Sequence, residues 1–218
     1  MKIKEIYNEY QIPKHLQQHM YRVAAVGLVI NDFLNETIKL DKDILTTAML
    51  LHDVGNIIKF DLNSDLLKEE NIDNLKITKN IFIEKYGEDE HIATVKIIKE
   101  IGVNKKVIDI LENISSSKIP STINSDDWHR KVCSYSDFRV APQGIVSITK
   151  RFDEIIKRYK GKNHELSDVE KTGQKKKDAL ILERQIQEKC VTPLSSIDDS
   201  KIKLIAEQLA EYEINYNL

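Results

Sequence analysis

The sequence is poor in the residues that interrupt helices. Its 218 residues include only seven glycines and four prolines. A protein built from many short strands needs a turn about every 8 to 12 residues, and such turns are rich in glycine and proline. No segment shows the sustained alternation of apolar and polar residues that marks a half-buried strand. The sequence therefore predicts an all-α protein.

Cysteine, net charge and long apolar runs are also scarce. Cys133 and Cys190 form no CxxC motif, so we expect neither a disulfide framework nor a zinc ribbon. The formal net charge of -2 gives no argument for a nucleic-acid or membrane partner. No apolar run approaches the roughly 20 residues that cross a bilayer, and residues 1–5 lack the apolar region of a signal peptide. We expect a cytoplasmic protein.

Apolar residues recur at helical spacing along most of the chain. Asp41, Asn104 and Ser147 each precede such a segment and are expected to be N-caps, whereas Gly102 follows one as the expected C-terminal glycine. The stretch 161–177 is charged and poor in apolar residues, so it is either a linker or a solvated helix face. Two further helices, beginning near residues 178 and 200, are expected to follow it.

Four ionisable residues lie on or at the end of apolar helical segments: His19, the adjacent His52 and Asp53, and Asp137. Burying each such group costs several kcal/mol of free energy unless it pairs with an opposite charge or binds a metal. Imidazole nitrogens and carboxylate oxygens together suit a divalent cation. Neighbours on a helix point about 100° apart, so His52 and Asp53 reach one ion only at the helix flank or where the helix unwinds. Gly55 makes such unwinding cheap.

The order of these residues resembles the HD superfamily of metal-dependent phosphohydrolases, whose signature is a histidine, an adjacent His-Asp pair and a distant aspartate. The matching segments are HMYRVA from His19, AMLLHDVG around His52 and YSDFRV around Asp137. His15 shares a helix face with His19 and is the alternative first ligand. The resemblance covers roughly residues 15–160 and implies an all-α HD-domain bundle, which we assign to residues 1–160. Residues 161–218 lie beyond the resemblance, and we expect a helical extension there that covers the core or mediates dimerisation.

The resemblance also implies a function. His19, His52, Asp53 and Asp137 would hold one divalent metal ion, and a metal-activated water would hydrolyse a phosphate ester, often of a nucleotide. Asp53 would be catalytic by orienting the water. The ligand set admits Mn, Fe, Co, Ni, Zn or Mg. Two alternatives stay open: a sensor that binds metal and nucleotide with little turnover, and a phosphodiesterase acting on a cyclic nucleotide or RNA.

Some positions depart from the family pattern. Many relatives have lysine directly after His-Asp-x-Gly, and one nucleotidase branch has glutamate three residues after the aspartate; both positions here are Asn56. An acid that could protonate a leaving group is therefore missing there. Lys59, one turn later, is a candidate phosphate contact, with a solvated lysine as the alternative.

The metal count follows from a second departure. Two-metal branches of the family add one histidine and then a His-His pair. His91 falls in the place of the first, but no His-His pair follows it. We therefore predict one tight metal site. His91 would be a substrate-phosphate or weak second-site contact, or else a surface histidine.

Arg22 and Arg139 are the remaining candidate phosphate contacts. Arg22 lies three residues after His19 and shares its helix face, and Arg139 lies two residues after Asp137. A guanidinium group suits bidentate phosphate binding, although a structural ion pair is the alternative for each. The expected partner is a small phosphate ester such as a nucleotide. Nucleic-acid and membrane partners are not expected, and a homodimer is an open alternative.

Overall fold

Helices account for nearly all of the regular structure, which confirms the all-α prediction. The computed structural model describes residues 1–64, 67–68, 70–161 and 165–215. The helices in these ranges are α1 (Ile3–Glu9), α2 (Lys14–Phe33), α3 (Lys42–Leu51), α4 (Ile72–Tyr86), α5 (Glu90–Ile101), α6 (Lys105–Glu112), α7 (Ile119–Ile123), α8 (Trp128–Phe138), α9 (Ile148–Tyr159), α10 (Val169–Gln187) and α11 (Asp199–Gln208).

One short hairpin and several 3-10 turns connect these helices. Strand β1 (Val140–Ala141) pairs antiparallel with β2 (Gly144–Ile145), directly after α8. The 3-10 helices within the described ranges include Asn56–Lys59, Ser116–Lys118, Glu165–Ser167, Leu194–Ser196 and Leu209–Glu211. The hairpin was not predicted, because two-residue strands are too short to show an alternating pattern.

Helix α2 lies at the centre of the fold. It packs against α3, α8 and α11, and α3 also packs against α8. Gly27 allows α3 to approach closely, since a Cβ atom at that position would lie 2.3 Å from Sδ of Met49. Every residue of α3 from Leu45 to Leu51 is buried. The helices that carry the four ionisable residues therefore pack directly on one another.

The predicted helix ends are confirmed by the hydrogen bonds found there. The side chains of Asp41, Asn104 and Ser147 each accept a hydrogen bond from a backbone N–H of the first turn that follows. Gly102 has φ of +79° at the end of α5, a left-handed conformation that glycine adopts without strain.

The charged stretch before residue 178 is largely helical. Helix α10 begins at Val169, where the Asp168 side chain caps it, and it continues without a break to Gln187. Residues 162–164 of that stretch lie outside the described residues. Helix α10 packs against α7, α8 and α9, and α11 packs against α2. None of the helices in the described ranges combines the length and the apolar character needed to cross a lipid bilayer.

Candidate metal centre

The His-Asp pair lies where α3 unwinds. The helix ends at Leu51, and His52 to Gly55 form turns before the next 3-10 helix. Because regular helical spacing stops here, two neighbouring side chains can face the same point, as the sequence analysis required. Tyr7 of α1 holds the end of α3 in place, because its hydroxyl donates a buried 2.6 Å hydrogen bond to the carbonyl oxygen of Leu50.

Gly55 fixes this turn against α5 by close packing. A Cβ atom on Gly55 would lie 2.5 Å from the carbonyl oxygen of Glu90 and 2.6 Å from the backbone nitrogen of Thr94. The Gly55 N–H donates a 3.0 Å hydrogen bond to Oγ1 of Thr94. The backbone there has an ordinary φ of −86°, so the glycine is required for space rather than for a left-handed turn.

Four side-chain atoms converge from α2, from the turn after α3 and from α8. Nε2 of His19 lies 3.1 Å from Oδ1 of Asp137 and 3.7 Å from Oδ2 of Asp53. Nε2 of His52 lies 3.5 Å from Oδ2 of Asp53 and 3.7 Å from Oδ1 of Asp137. Ligands that are each about 2.0–2.2 Å from a metal lie about 3.0–3.5 Å apart, so these spacings fit a shared cation. The donor atoms of His19, His52 and Asp137 all lie within 4.8 Å of one another.

His52 has the hydrogen-bonding pattern of a metal ligand. Its Nδ1 lies 2.7 Å from the carbonyl oxygen of Met49, and because a carbonyl only accepts, this nitrogen carries the hydrogen. Nε2 is therefore the nitrogen that can offer a lone pair to a metal, and it is buried with no hydrogen-bond partner among the described residues. Metal-bound histidines commonly donate their other N–H to a backbone carbonyl in this way. The donor set and the unpartnered nitrogen both fit a divalent cation.

Two carboxylates give the centre a negative potential. Burial would lower the pKa of His52, but Asp53 and Asp137 outweigh burial and raise it to about 9. Burial opposes ionisation of Asp137, yet the adjacent imidazoles of His19 and His52 hold the pKa of that carboxyl well below its usual range. Both shifts indicate a site that favours positive charge next to ionised carboxylates.

The centre is open on one side. The His52 side chain is 7% exposed, whereas the Asp137 side chain is 36% exposed. His52 is therefore the more deeply buried of these two ligands, and a solute can approach the centre beside Asp137.

Lys59 lies at the rim of the centre. Its Nζ is 3.4 Å from Oε1 of Glu90 at the start of α5. Burial would lower the pKa of Lys59, but the charges of Asp53, Glu90 and Asp137 raise it above its ordinary value. Lys59 thus interacts electrostatically with both carboxylates of the centre and stays positively charged. Sequence reasoning missed Glu90, although it directly precedes the candidate His91.

Arg22 has a guanidinium group without a partner in the described part of the chain. It lies on α2 one turn after His19 and is half-buried. It forms no hydrogen bond or ion pair with any residue that the structure describes. A half-buried guanidinium without a protein partner is available to an anion.

The other two histidine candidates have protein partners. Nδ1 of His15 lies 3.5 Å from Oε1 of Glu70, and its ring packs against Phe60, so His19 rather than His15 reaches the carboxylates. Nε2 of His91 lies 3.3 Å from the carbonyl oxygen of Glu112, at the end of α6. Within the described ranges, no second group of three metal-ligating side chains comes together around His91.

Arg139 is not brought to the centre. It is 4% exposed, and its guanidinium donates to the carbonyl oxygens of Val146, Leu194 and Ile197 and to the hydroxyl of Tyr135. Four of its five N–H groups are thereby committed to the fold. The expected phosphate contact is not available to this side chain, and neither does it form the alternative ion pair, because its partners are backbone carbonyls and a hydroxyl.

Comparison with known families agrees with this geometry. The family model of the HD domain matches residues 16–124, half of the chain. This chain belongs to the HD-domain family. Members of the HD family are generally metal-dependent hydrolases. The match includes His19, His52 and Asp53 and ends before Asp137, which the HD fold nevertheless brings to the other three. Searches of curated proteins and of solved structures gave no significant match.

Proposed function

We propose that this HD-domain protein is a phosphoric ester hydrolase that acts on a nucleotide and holds one divalent cation through His19, His52, Asp53 and Asp137. The observation that carries the proposal is the buried Nε2 of His52, which has no hydrogen-bond partner among the described residues and lies 3.5–3.7 Å from the carboxylates of Asp53 and Asp137. The imidazole ring of His19 lies beside it, with 5.4 Å between the ring centroids. Such an arrangement is costly unless a cation completes it.

A bound divalent cation would lower the pKa of a water, polarise the phosphoryl group and offset developing negative charge. The side chains of the protein supply the remaining steps. Asp53 lies between the two histidines and would accept a proton from the attacking water as the water oxygen bonds to phosphorus. The bond between phosphorus and the leaving oxygen then breaks, and that oxygen takes a proton from solvent, because Asn56 offers no acid.

Arg22 and Lys59 would hold the phosphate. Both are cationic, Arg22 has no partner in the described part of the chain, and Lys59 feels the charges of Asp53 and Asp137. Guanidinium and ammonium groups bind phosphate oxygens through charge-assisted hydrogen bonds. A nucleotide is the substrate class that the resemblance to the family favours.

A sensor that binds metal and nucleotide without turnover is the second candidate. One observation favours it: Asn56, which stands where some relatives carry an acid, is 6% exposed and not titratable. A protein that lacks a leaving-group acid hydrolyses slowly unless the leaving group is already a weak base.

Phosphate release tests the two candidates against each other. The wild-type protein is assayed on nucleoside mono-, di- and triphosphates and cyclic dinucleotides, with several divalent metals and with a chelator. Asp53→Asn keeps the size of the side chain and removes its charge, and Asp73→Asn, at an exposed position of α4, is the matched control. We expect metal-dependent release from one substrate class, about a hundredfold lower in Asp53→Asn and unchanged in the control.

The other outcomes are equally informative. Wild-type rates in Asp53→Asn would contradict the assigned role of Asp53. A protein that binds metal and nucleotide but releases no phosphate from any substrate in the panel would support the sensor instead.

A further inference from the structure

Asp137 lies in the last turn of α8, directly before the chain leaves the helix. Helix α8 ends at Phe138, and Arg139 follows it. The last turn of a helix has carbonyl groups without intrahelical partners and frays unless other residues hold it. Whatever holds this turn therefore controls where the Asp137 carboxylate lies.

Arg139 joins this turn to the end of the hairpin. The backbone N–H of Val146 donates to the carbonyl oxygen of Arg139 at 2.8 Å, and Nε of Arg139 donates to the carbonyl oxygen of Val146 at 2.6 Å. Nη1 donates at 2.8 Å to the hydroxyl of Tyr135, one turn back on α8. One buried side chain thus connects the turn that carries Asp137 to the residue that follows β2.

The same guanidinium reaches the segment between α10 and α11. Its Nη1 donates to the carbonyl oxygen of Leu194 and its Nη2 to that of Ile197, both at 3.1 Å. A second contact lies nearby, where the Ile145 N–H donates to both carboxylate oxygens of Asp199 at 3.2 Å. Gly144 has φ of +127°, and a Cβ atom there would lie 2.5 Å from Oδ2 of Asp199, so this contact requires glycine.

Helix α11, which begins at Asp199, packs against α2, and α2 carries His19. Ile202 is the buried residue of α11, with 2% exposure. The segment 194–208 therefore contacts the end of α8 through hydrogen bonds and α2 through side-chain packing. It connects the two helices whose ligands approach to 3.1 Å.

We infer that Arg139 is a positioning residue of the metal centre, and that residues 194–208 complete the centre by clamping α2 to α8. Arg139 acts through Asp137, since its own nitrogens are directed at carbonyl groups away from the ligands. The inference rests on the proposed function only in that the centre holds a cation. It makes part of the C-terminal extension, which lies beyond the HD family match, necessary for the full affinity of the site.

The test is the Mn²⁺ affinity of full-length variants, measured by titration calorimetry, with thermal unfolding in chelator measured beside it. Arg139→Gln removes the charge and most donors, Arg139→Lys keeps the charge, and Asp199→Asn weakens the second contact. Loss of groups that orient a metal ligand commonly costs about 10–100-fold in affinity. We expect at least about a tenfold loss in Arg139→Gln, with smaller losses in Arg139→Lys and Asp199→Asn.

Two matched controls lie on exposed positions of the same extension. Arg184→Gln on α10 and Glu207→Gln on α11 make the corresponding charge changes where no side-chain partner is present among the described residues. Both should keep the wild-type affinity for Mn²⁺.

The outcomes separate positioning from general stability. A purely structural Arg139 would lower the unfolding temperature and leave the Mn²⁺ affinity of the folded protein unchanged, which would overturn the inference. If Arg139→Gln does not fold, Arg139→Lys and Asp199→Asn decide the question in the same way. A wild-type protein that binds no Mn²⁺ would overturn the metal centre and this inference together. Metal binding without hydrolysis would contradict only the proposed function.

Discussion

Nε2 of His19 lies 3.1 Å from Oδ1 of Asp137, although 118 residues separate them in the chain. The contact joins α2 to α8 and exists only when these helices pack. The unfolded chain therefore has no comparable site, and any cation that binds here binds the folded state. Folding and metal binding are therefore linked.

Saturating Mn²⁺ should stabilise the folded protein. A ligand at about 100 times its dissociation constant adds roughly 2.7 kcal/mol to the free energy of unfolding when it binds only the folded state. His91→Asn should keep this stabilisation, because His91 contacts the carbonyl of Glu112 and lies outside the ligand cluster. Thermal unfolding with Mn²⁺ and with chelator checks both statements. Loss of the stabilisation in His91→Asn would indicate a second metal that involves this residue.

Gly55→Ala should destabilise the protein by about 1–3 kcal/mol, because its Cβ would lie 2.5 Å from the carbonyl oxygen of Glu90. Gly173→Ala is the matched control. Its Cβ meets no atom within 4 Å inside α10, so the substitution should stabilise by about 0.5–1 kcal/mol. Urea unfolding measures both changes. Equal effects of the two substitutions would show that the close approach of α5 to the His-Asp turn is not tight.

The helices and their ends could be predicted because the signals are local. Capping side chains act within one turn, so Asp41 and Asn104 are recognisable without any tertiary contact. The sequence predicts a start near residue 178 for α10, which is too late, because this helix buries only a narrow stripe. Between Val169 and Lys177, Thr172 is its one buried residue, and a threonine among charges gives no apolar periodicity.

The candidate ligands could also be chosen from the sequence, because their order along the chain resembles a known family and each lies on or at the end of an apolar helical segment. The role of Arg139 could not. Its partners are carbonyl oxygens of residues 194 and 197, and backbone groups leave no mark on the sequence. Its closeness to Asp137 in sequence suggested a phosphate contact, whereas the end of α8 directs it toward the C-terminal segment.

Lys59→Gln and Arg22→Gln should each weaken substrate binding. A hydrogen bond to a charged group contributes about 1.5–3 kcal/mol, which corresponds to a rise in KM of roughly tenfold or more. The value of kcat should change less, because these two side chains would contact the phosphate equally in the ground state and in the transition state. Steady-state kinetics measure both constants, and Lys150→Gln at an exposed position of α9 is the control. Unchanged KM values in both variants would remove these residues from the phosphate site.

His129 should make the protein less stable in mild acid. Burial lowers its pKa, with Asp127 and Asp41 opposing the shift and Lys106 adding to it. Its Nε2 also accepts a 3.0 Å hydrogen bond from the backbone N–H of Asp41, which requires the neutral ring. The unfolded chain, with a histidine pKa of about 6.5, gains its proton first as the pH falls. The stabilisation is therefore present above about pH 6.5 and is lost as the pH falls through the lower folded pKa.

Urea unfolding at pH 8 and pH 5.5 in chelator checks this prediction. His129→Gln keeps an acceptor for Asp41 but does not titrate, so it should lose less stability between the two pH values than the wild type. Equal losses in the two proteins would show that His129 does not contribute to the acid sensitivity.

The central claim is that His19, His52, Asp53 and Asp137 form one site for a divalent cation. Titration calorimetry with Mn²⁺ on the wild type, His52→Gln and Asp137→Asn tests it most directly. We expect one ion per chain in the wild type and a loss of affinity of at least about tenfold in each variant. Wild-type affinity in both variants, or no binding by the wild type, would contradict it.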